Sequence, residues 1–120
     1  MEHKVVGWFQ GGMESGPRAL GNRSYMLVTT HVRSEYRDRL PGITHVDGTA
    51  RIQIVTRESN AEVHRLLEEF GRLSGYAVLI NTSFNMQEPI VCSPEDALAC
   101  FDNSGLDALF MGNYRVDRQE

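Results

Sequence analysis

Three short stretches of this 120-residue chain hold the side chains best suited to chemistry. The first, Gly16-Pro17-Arg18-Ala19-Leu20-Gly21-Asn22-Arg23-Ser24, supplies two guanidinium groups, a hydroxyl and a glycine-flanked backbone. Arginine offers a rigid fork of donors that fits phosphate or carboxylate oxygens, and glycine lets backbone come close to a ligand. No Gly-Lys-Ser or Gly-Lys-Thr is present, so this is not the common phosphate-binding loop. An ion pair from Arg18 to Glu14, four residues earlier, would use the same charge structurally. The second stretch places His45, Asp47, Thr49 and Arg51 at alternating positions. On a strand all four would face one side and could orient a phosphate, although a salt-bridged hairpin would use them equally well. His45 and Asp47 are too few to define a metal site, and no HExxH-type signature is present, so no metal ligand is assigned. The third stretch, Asn81-Thr82-Ser83-Phe84-Asn85, brings two amides and two hydroxyls to the end of an apolar run. Such groups can contact the phosphates or ribose of a nucleotide, or only satisfy loop backbone.

The elements that must hold these stretches can be read from the pattern. Val5 to Phe9 reads as a strand, followed by a glycine-rich loop, and Tyr25 to Val32 as a second strand rich in β-formers. Glu35 to Leu40 is a short charged segment and Pro41-Gly42 a turn. Ile43 to Val46 and Arg51 to Val55 flank Asp47-Gly48, which predicts a hairpin with His45 to Arg51 around its tip. Ser59 and Glu62 form a capping-box pair, and Val63, Leu66, Leu67, Phe70 and Leu73 then share one helical face expected to be core. Gly75 is the expected stop. Tyr76 to Ile80 is dense enough in apolar residues to be a central strand that surfaces at Asn81. Ser93-Pro94-Glu95-Asp96 opens a second helix, with Ala97, Leu98, Cys100 and Phe101 on its apolar side. Leu109 to Met111 is a last strand before Gly112-Asn113 and a polar tail.

These elements make one α/β domain spanning residues 1–120, with polar loops at strand ends where such folds usually bind ligands. With 12 basic and 16 acidic side chains the formal charge is −4, which disfavours a nucleic-acid partner. No apolar run reaches the length of a membrane span and no signal peptide is visible, so no membrane partner is expected. Cys92 and Cys100 read as small core residues in a reduced, cytoplasmic setting.

The motifs, taken in order, resemble those of a known family. Trp8-Phe9-Gln10-Gly11, Met13-Glu14 and Gly16 to Ser24 resemble the opening of the C-terminal domain of the O-carbamoyltransferases of antibiotic and nodulation-factor biosynthesis. Thr44-His45-Val46-Asp47-Gly48-Thr49-Ala50-Arg51, the Asn81 to Asn85 loop with Glu88 to Cys92, and Phe110 to Tyr114 resemble its later motifs. The resemblance implies a YrdC-like twisted mixed sheet with packed helices. It implies ATP and carbamoyl phosphate as reactants, carbamoyladenylate as product, and magnesium accompanying ATP with no ligand assigned here. The carbamoyl group would then pass to a hydroxyl of a small-molecule acceptor in an N-terminal Kae1-like domain. A homodimer is compatible with it.

Carried onto this chain, the resemblance implies anion contacts from Arg18, Arg23 and Arg51. His45 and Asp47 would orient the reactant or a bound cation, and Asn81, Thr82, Ser83 and Asn85 would face the nucleotide. Two departures stand out. Gly12 stands where the family pattern has an arginine, and Ser24 runs almost directly into Tyr25-Met26-Leu27-Val28, where the family carries a further segment of some tens of residues. The shortened chain is therefore not expected to be active alone. The alternatives are a non-catalytic nucleotide- or anion-binding module, or a structural interaction domain.

Overall fold

The computed structural model describes residues 6–9, 19–20, 24–25, 28–86 and 89–118. In chain order the elements are β1 (Val6–Phe9), β2 (Ala19–Leu20), β3 (Ser24–Tyr25), β4 (Val28–His31), α1 (Ser34–Arg37), a 3-10 turn (Pro41–Ile43), β5 (Thr49–Ile52), α2 (Ala61–Ser74), α3 (Pro94–Asn103), β6 (Ala108–Met111) and β7 (Tyr114–Asp117). This is a mixed α/β architecture, as expected. The chain falls into two compact units, one of Met1–Pro17 with Ser83–Glu120, the other of Arg18–Thr82.

The first unit is built on a mixed sheet ordered β1-β6-β7. β1 runs parallel to β6, with Val6 opposite Ala108 and Phe9 opposite Met111. β6 is antiparallel to β7, with Met111 opposite Tyr114. The tail after Gly112-Asn113 is thus a strand, where the sequence pattern suggested only polar chain. Gly112 has φ +55°, and this left-handed residue makes the tight reversal that a two-residue hairpin needs. α3 covers the sheet. Its start is as read from the sequence: Ser93 Oγ accepts from Asp96 N, Asp96 Oδ2 accepts from Ser93 N, and Pro94 stands in the first turn. This reciprocal cap satisfies two donors that helix geometry leaves open. Ala97, Cys100 and Phe101 then pack with Val91 and Leu109 into one apolar cluster, flanked by Phe9, Phe84, Leu106, Met111 and Val116. Ala97 and Leu109 are completely shielded from solvent. Arg118 closes the far end of α3, donating to the carbonyls of Phe101, Ser104 and Leu106 while its guanidinium lies 4.9 Å from the Phe101 ring centroid. A cation there is favoured by the helix dipole as well as by the hydrogen bonds.

The second unit departs more from expectation. β5 pairs antiparallel with β4, with Thr29 opposite Arg51 and His31 opposite Thr49. Residues 43–46 form no hairpin arm: they end the 3-10 turn and run into the loop that feeds β5. α2 begins one residue later than the Ser59–Glu62 box implies. Asn60 is its N-cap, accepting from Val63 N at 3.1 Å, while Ser59 exchanges hydrogen bonds with Thr56 in the preceding turn. Either residue can cap, but the Thr56–Ser59 turn takes the Ser59 hydroxyl and leaves the role to Asn60. Gly75 ends the helix in the left-handed conformation, as expected.

Two larger corrections concern packing. Of the α2 face read as core, only Val63 is buried, and Leu66, Phe70 and Leu73 are exposed. Tyr76 to Ile80 is irregular chain with no ladder partner among the described residues, not a central strand. It passes close to α2, where a Cβ on Gly71 would lie 3.0 Å from Ala77 Cβ. It is pinned at one end by the edge-to-face pair Tyr36–Tyr76 and by Arg39 Nη1 donating to Tyr76 Oη. Its other apolar side chains, Val78, Leu79 and Ile80, remain exposed.

Candidate functional site

Among the described residues, the turn that feeds β5 gathers a connected set of polar groups. Gly48 N donates to the His45 carbonyl and His45 N donates to the Thr49 carbonyl, closing a tight loop over residues 45–49. Gly48 holds φ +77°, a conformation costly for any residue with a Cβ. The Asp47 carboxylate folds back over the loop. Its Oδ1 accepts from Thr49 N at 2.9 Å and from Thr49 Oγ1 at 2.7 Å. These two donors hold the Asp47 carboxyl below the usual aspartate range.

Proton bookkeeping fixes the imidazole. The Thr49 hydroxyl spends its one proton on Asp47, so toward His45 Nδ1, 3.1 Å away, it can only accept. Nδ1 therefore carries a hydrogen, and in the neutral ring Nε2 keeps its lone pair. Neutral His45 thus offers a proton acceptor, and protonated His45 a second donor for an anion.

Arg37, which the sequence reading left unassigned in a charged segment, is part of this arrangement. Its Nε donates to the Val32 carbonyl at 2.9 Å, and its guanidinium lies flat over Gly48, where a Cβ would sit 2.9 Å from Cζ. Arg37, Asp38, Pro41, Thr44, His45, Val46, Asp47 and Gly48 line an open depression of about 370 Å³. The one sequence signal for Arg37 was its position in a short arginine-containing segment before the Pro-Gly turn, which is weak.

The predicted site residues divide as follows. His45 and Asp47 are brought together with Thr49 by a turn, not by strand alternation; only Thr49 and Arg51 stand on β5, two residues apart and so on one face. Arg51 is exposed. Asn81 is drawn to the same unit's β5 end, donating from Nδ2 to Gln53 Oε1 at 3.1 Å, and Thr82 follows it, exposed. Ser83 and Asn85 belong to the other unit, where both are half-buried and the loop is tied by Val91 N donating to the Phe84 carbonyl. Arg18 and Arg23 lie outside the described residues. Among the described residues no three metal-ligating side chains gather, so no cation ligand is assigned. Cys92, expected in the core, is exposed; its thiol donates to Asp96 Oδ2 at 3.2 Å, and the neighbouring carboxylate pushes the thiol pKa up. A raised thiol pKa leaves less thiolate at neutral pH. Cys100 is buried.

The fold and site together define an α/β protein whose polar, hydrogen-bonded turn leads into an arginine-bearing strand, an arrangement able to hold an anion. Comparison with known proteins is specific. The profile described as carbamoyltransferase C-terminus matches residues 1–25 and 24–118. The chain belongs to this family.

An uncharacterized protein of Synechocystis is 35% identical over 92% of this chain and 29% of its own length. Nodulation protein NolNO of Sinorhizobium fredii is 32% identical over 96% of this chain and 24% of its own length. The 3'-hydroxymethylcephem-O-carbamoyltransferase of Streptomyces clavuligerus is 36% identical over 68% of this chain and 24% of its own length. The chain therefore spans less than a third of the length of these relatives. The Synechocystis match spreads 92% of this chain over 178 aligned positions, so that relative holds tens of residues for which this chain has no counterpart. The family match is split at residues 24–25, which are the residues of β3. No helix among the described residues is long and apolar enough to cross a membrane.

Proposed function

We propose that this chain supplies the carbamoyl-phosphate- and ATP-handling part of an O-carbamoyltransferase, on a YrdC-like domain. The observation that carries the reading is the His45–Thr49–Asp47 relay at the head of β5 with Arg51 two residues on, in a member of the carbamoyltransferase C-terminus family. In the proposed reaction carbamoyl phosphate releases its phosphate to water. The resulting carbamate oxygen bonds to the α-phosphorus of ATP, and pyrophosphate leaves with the electron pair of the broken P–O bond. Arg51, with Arg18 and Arg23, neutralises charge on the phosphates, which is the main demand of such a transfer. Asp47 holds Thr49 and through it the His45 ring, so that Nε2 faces the reactants as proton acceptor or, once protonated, as donor. Asn81, Thr82, Ser83 and Asn85 contact the nucleotide, which brings its own magnesium. The carbamoyl group then passes to an acceptor hydroxyl in the N-terminal part of the complete enzyme.

The test is calorimetric titration of the folded chain with a non-hydrolysable ATP analogue, with and without carbamoyl phosphate. Binding that is lost in Arg51→Ala and weakened in Thr49→Val supports the reading. A folded chain that binds neither compound refutes it. The split of the family match at residues 24–25 favours a second reading, a module that binds but does not turn over. Pyrophosphate release from ATP separates the two.

A further inference from the structure

One face of the β4–β5 ladder carries donors that the fold does not use. Along β5, Ala50 is buried and Arg51 exposed, with Thr49 and Ile52 half-buried. The pleat puts Ala50 and Ile52 on one side and Thr49 and Arg51 on the other. Register extends this pattern to β4. His31 lies opposite Thr49 and Thr29 opposite Arg51. Directly opposed residues point the same way, with Cβ atoms about 4.5–5.5 Å apart. His31, Thr29, Thr49 and Arg51 therefore form one polar patch drawn equally from both strands, and none of them is acidic.

Three of the four are uncommitted. Arg51, His31 and Thr29 are exposed, and among the described residues their side chains make no hydrogen bond and no ion pair. The carboxylate beside the patch, that of Asp47, is engaged at Oδ1 by both Thr49 donors; His45 and His31 act on it in the same direction, which sets His31 close to the turn. The Arg51 fork alone can serve both oxygens of a planar carboxylate. Donors from the facing strand become useful only to a ligand with further oxygens outside the plane of that fork, which is the shape of a phosphate group. His31 can serve in either charge state, because a neutral imidazole keeps one N–H.

We infer that β4 forms the second wall of the phosphate site, with His31 and Thr29 donating to oxygens that Arg51 leaves open. The inference rests on the reading of Arg51 as an anion contact and adds two residues from the facing strand. The phosphate belongs either to carbamoyl phosphate or to the nucleotide. Just beyond β5, Gln53 accepts from Asn81, so the loop read as contacting nucleotide meets the end of the same strand.

The test is calorimetric titration of the full 120-residue chain with carbamoyl phosphate and, separately, with a non-hydrolysable ATP analogue. His31→Val and Thr29→Val keep β-forming side chains but remove the donors. Each should weaken binding of at least one compound by about tenfold, the scale of one hydrogen bond to a charged group. The compound affected names the source of the phosphate. Thr30→Val, on the other face of β4, should change neither affinity. In the unsubstituted chain, the His31 ring protons and the Thr29 amide should shift in NMR spectra as the site fills. Resonances of His31 and Thr29 that stay in place at saturation overturn the inference, whether or not the variants fold. So does binding that is weakened in Arg51→Ala but unchanged in His31→Val and Thr29→Val, which leaves the Arg51 reading intact. A folded chain that binds neither compound overturns both.

Discussion

Substituting Gly48 by alanine tests the geometry of the turn on which the site depends. Two costs are separable. The backbone cost comes from φ +77°, where a residue with a Cβ loses about 1–2 kcal/mol relative to glycine. The contact cost comes from Arg37: the new methyl would stand 2.9 Å from Cζ and 3.0 Å from Nη1, closer than packed atoms approach. The guanidinium cannot retreat freely, because Nε is held by the Val32 carbonyl at 2.9 Å. Moving it gives up a hydrogen bond worth about 0.5–1.5 kcal/mol net. Gly48→Ala should therefore lower stability by about 2–3 kcal/mol, measured by urea denaturation with an unchanged m-value. The same substitution in an Arg37→Ala background should cost only the backbone part, leaving an interaction energy of about 1 kcal/mol in the double-mutant cycle. A cost below about 0.5 kcal/mol for the single variant would refute the backbone argument. Equal costs in the two backgrounds would refute the seating of Arg37 on Gly48.

Further outcomes follow from other contacts in the chain. Asp47 has a folded-state pKa below its unfolded value, so it contributes stability above the unfolded pKa that is lost as pH falls through the folded one; NMR titration should show its carboxyl returning toward the ordinary range in Thr49→Val. Asp96→Asn should speed alkylation of Cys92 by iodoacetamide near neutral pH, since the carboxylate that pushes the thiol pKa up is gone; an unchanged rate would show that Asp96 does not control the thiol. Leu109→Ala, at a fully shielded position, should cost about 2–5 kcal/mol in chemical denaturation, and Arg118→Ala about 1–2 kcal/mol by releasing the last carbonyls around α3. Asn60→Ala should destabilise by about 1 kcal/mol and Ser59→Ala by less, which reverses the order that a Ser59–Glu62 capping box requires.

The sequence was most informative where its signals were local. The Ser93 cap on α3 and the glycine stop of α2 depend on neighbours a few residues away, and these appear as read. The errors cluster where the outcome depends on partners distant in the chain. Tyr76 to Ile80 has the composition of a central strand, but composition cannot reveal whether neighbouring strands exist to pair with it. The α2 stripe from Val63 to Leu73 has helical period, but period says only which side chains share a face, not that anything covers it. Both failures fall in the unit where the family match is broken.

The same distinction governs the site. Residue types at 45–51 and 81–85 are legible as polar groups, because imidazole, carboxylate, hydroxyl and guanidinium announce what they can bind. The reasoning about their arrangement rested on strand alternation, and that was wrong for His45 and Asp47. Glycine at 48, with an acceptor side chain one residue earlier, bends the chain back so that Thr49, not Arg51, becomes the common partner of both. This matters chemically. On a strand the four groups would act as independent contacts. In the turn, Asp47 takes the Thr49 proton, Thr49 can then only accept from Nδ1 of His45, and the state of Nε2 depends on a carboxylate it never touches. Thr49→Val and Asp47→Ala should therefore weaken anion binding by similar factors, with the double variant no weaker than either alone, whereas Arg51→Ala should add its own loss to both. Fully additive losses for Thr49→Val and Asp47→Ala would show that the relay has no part in the site.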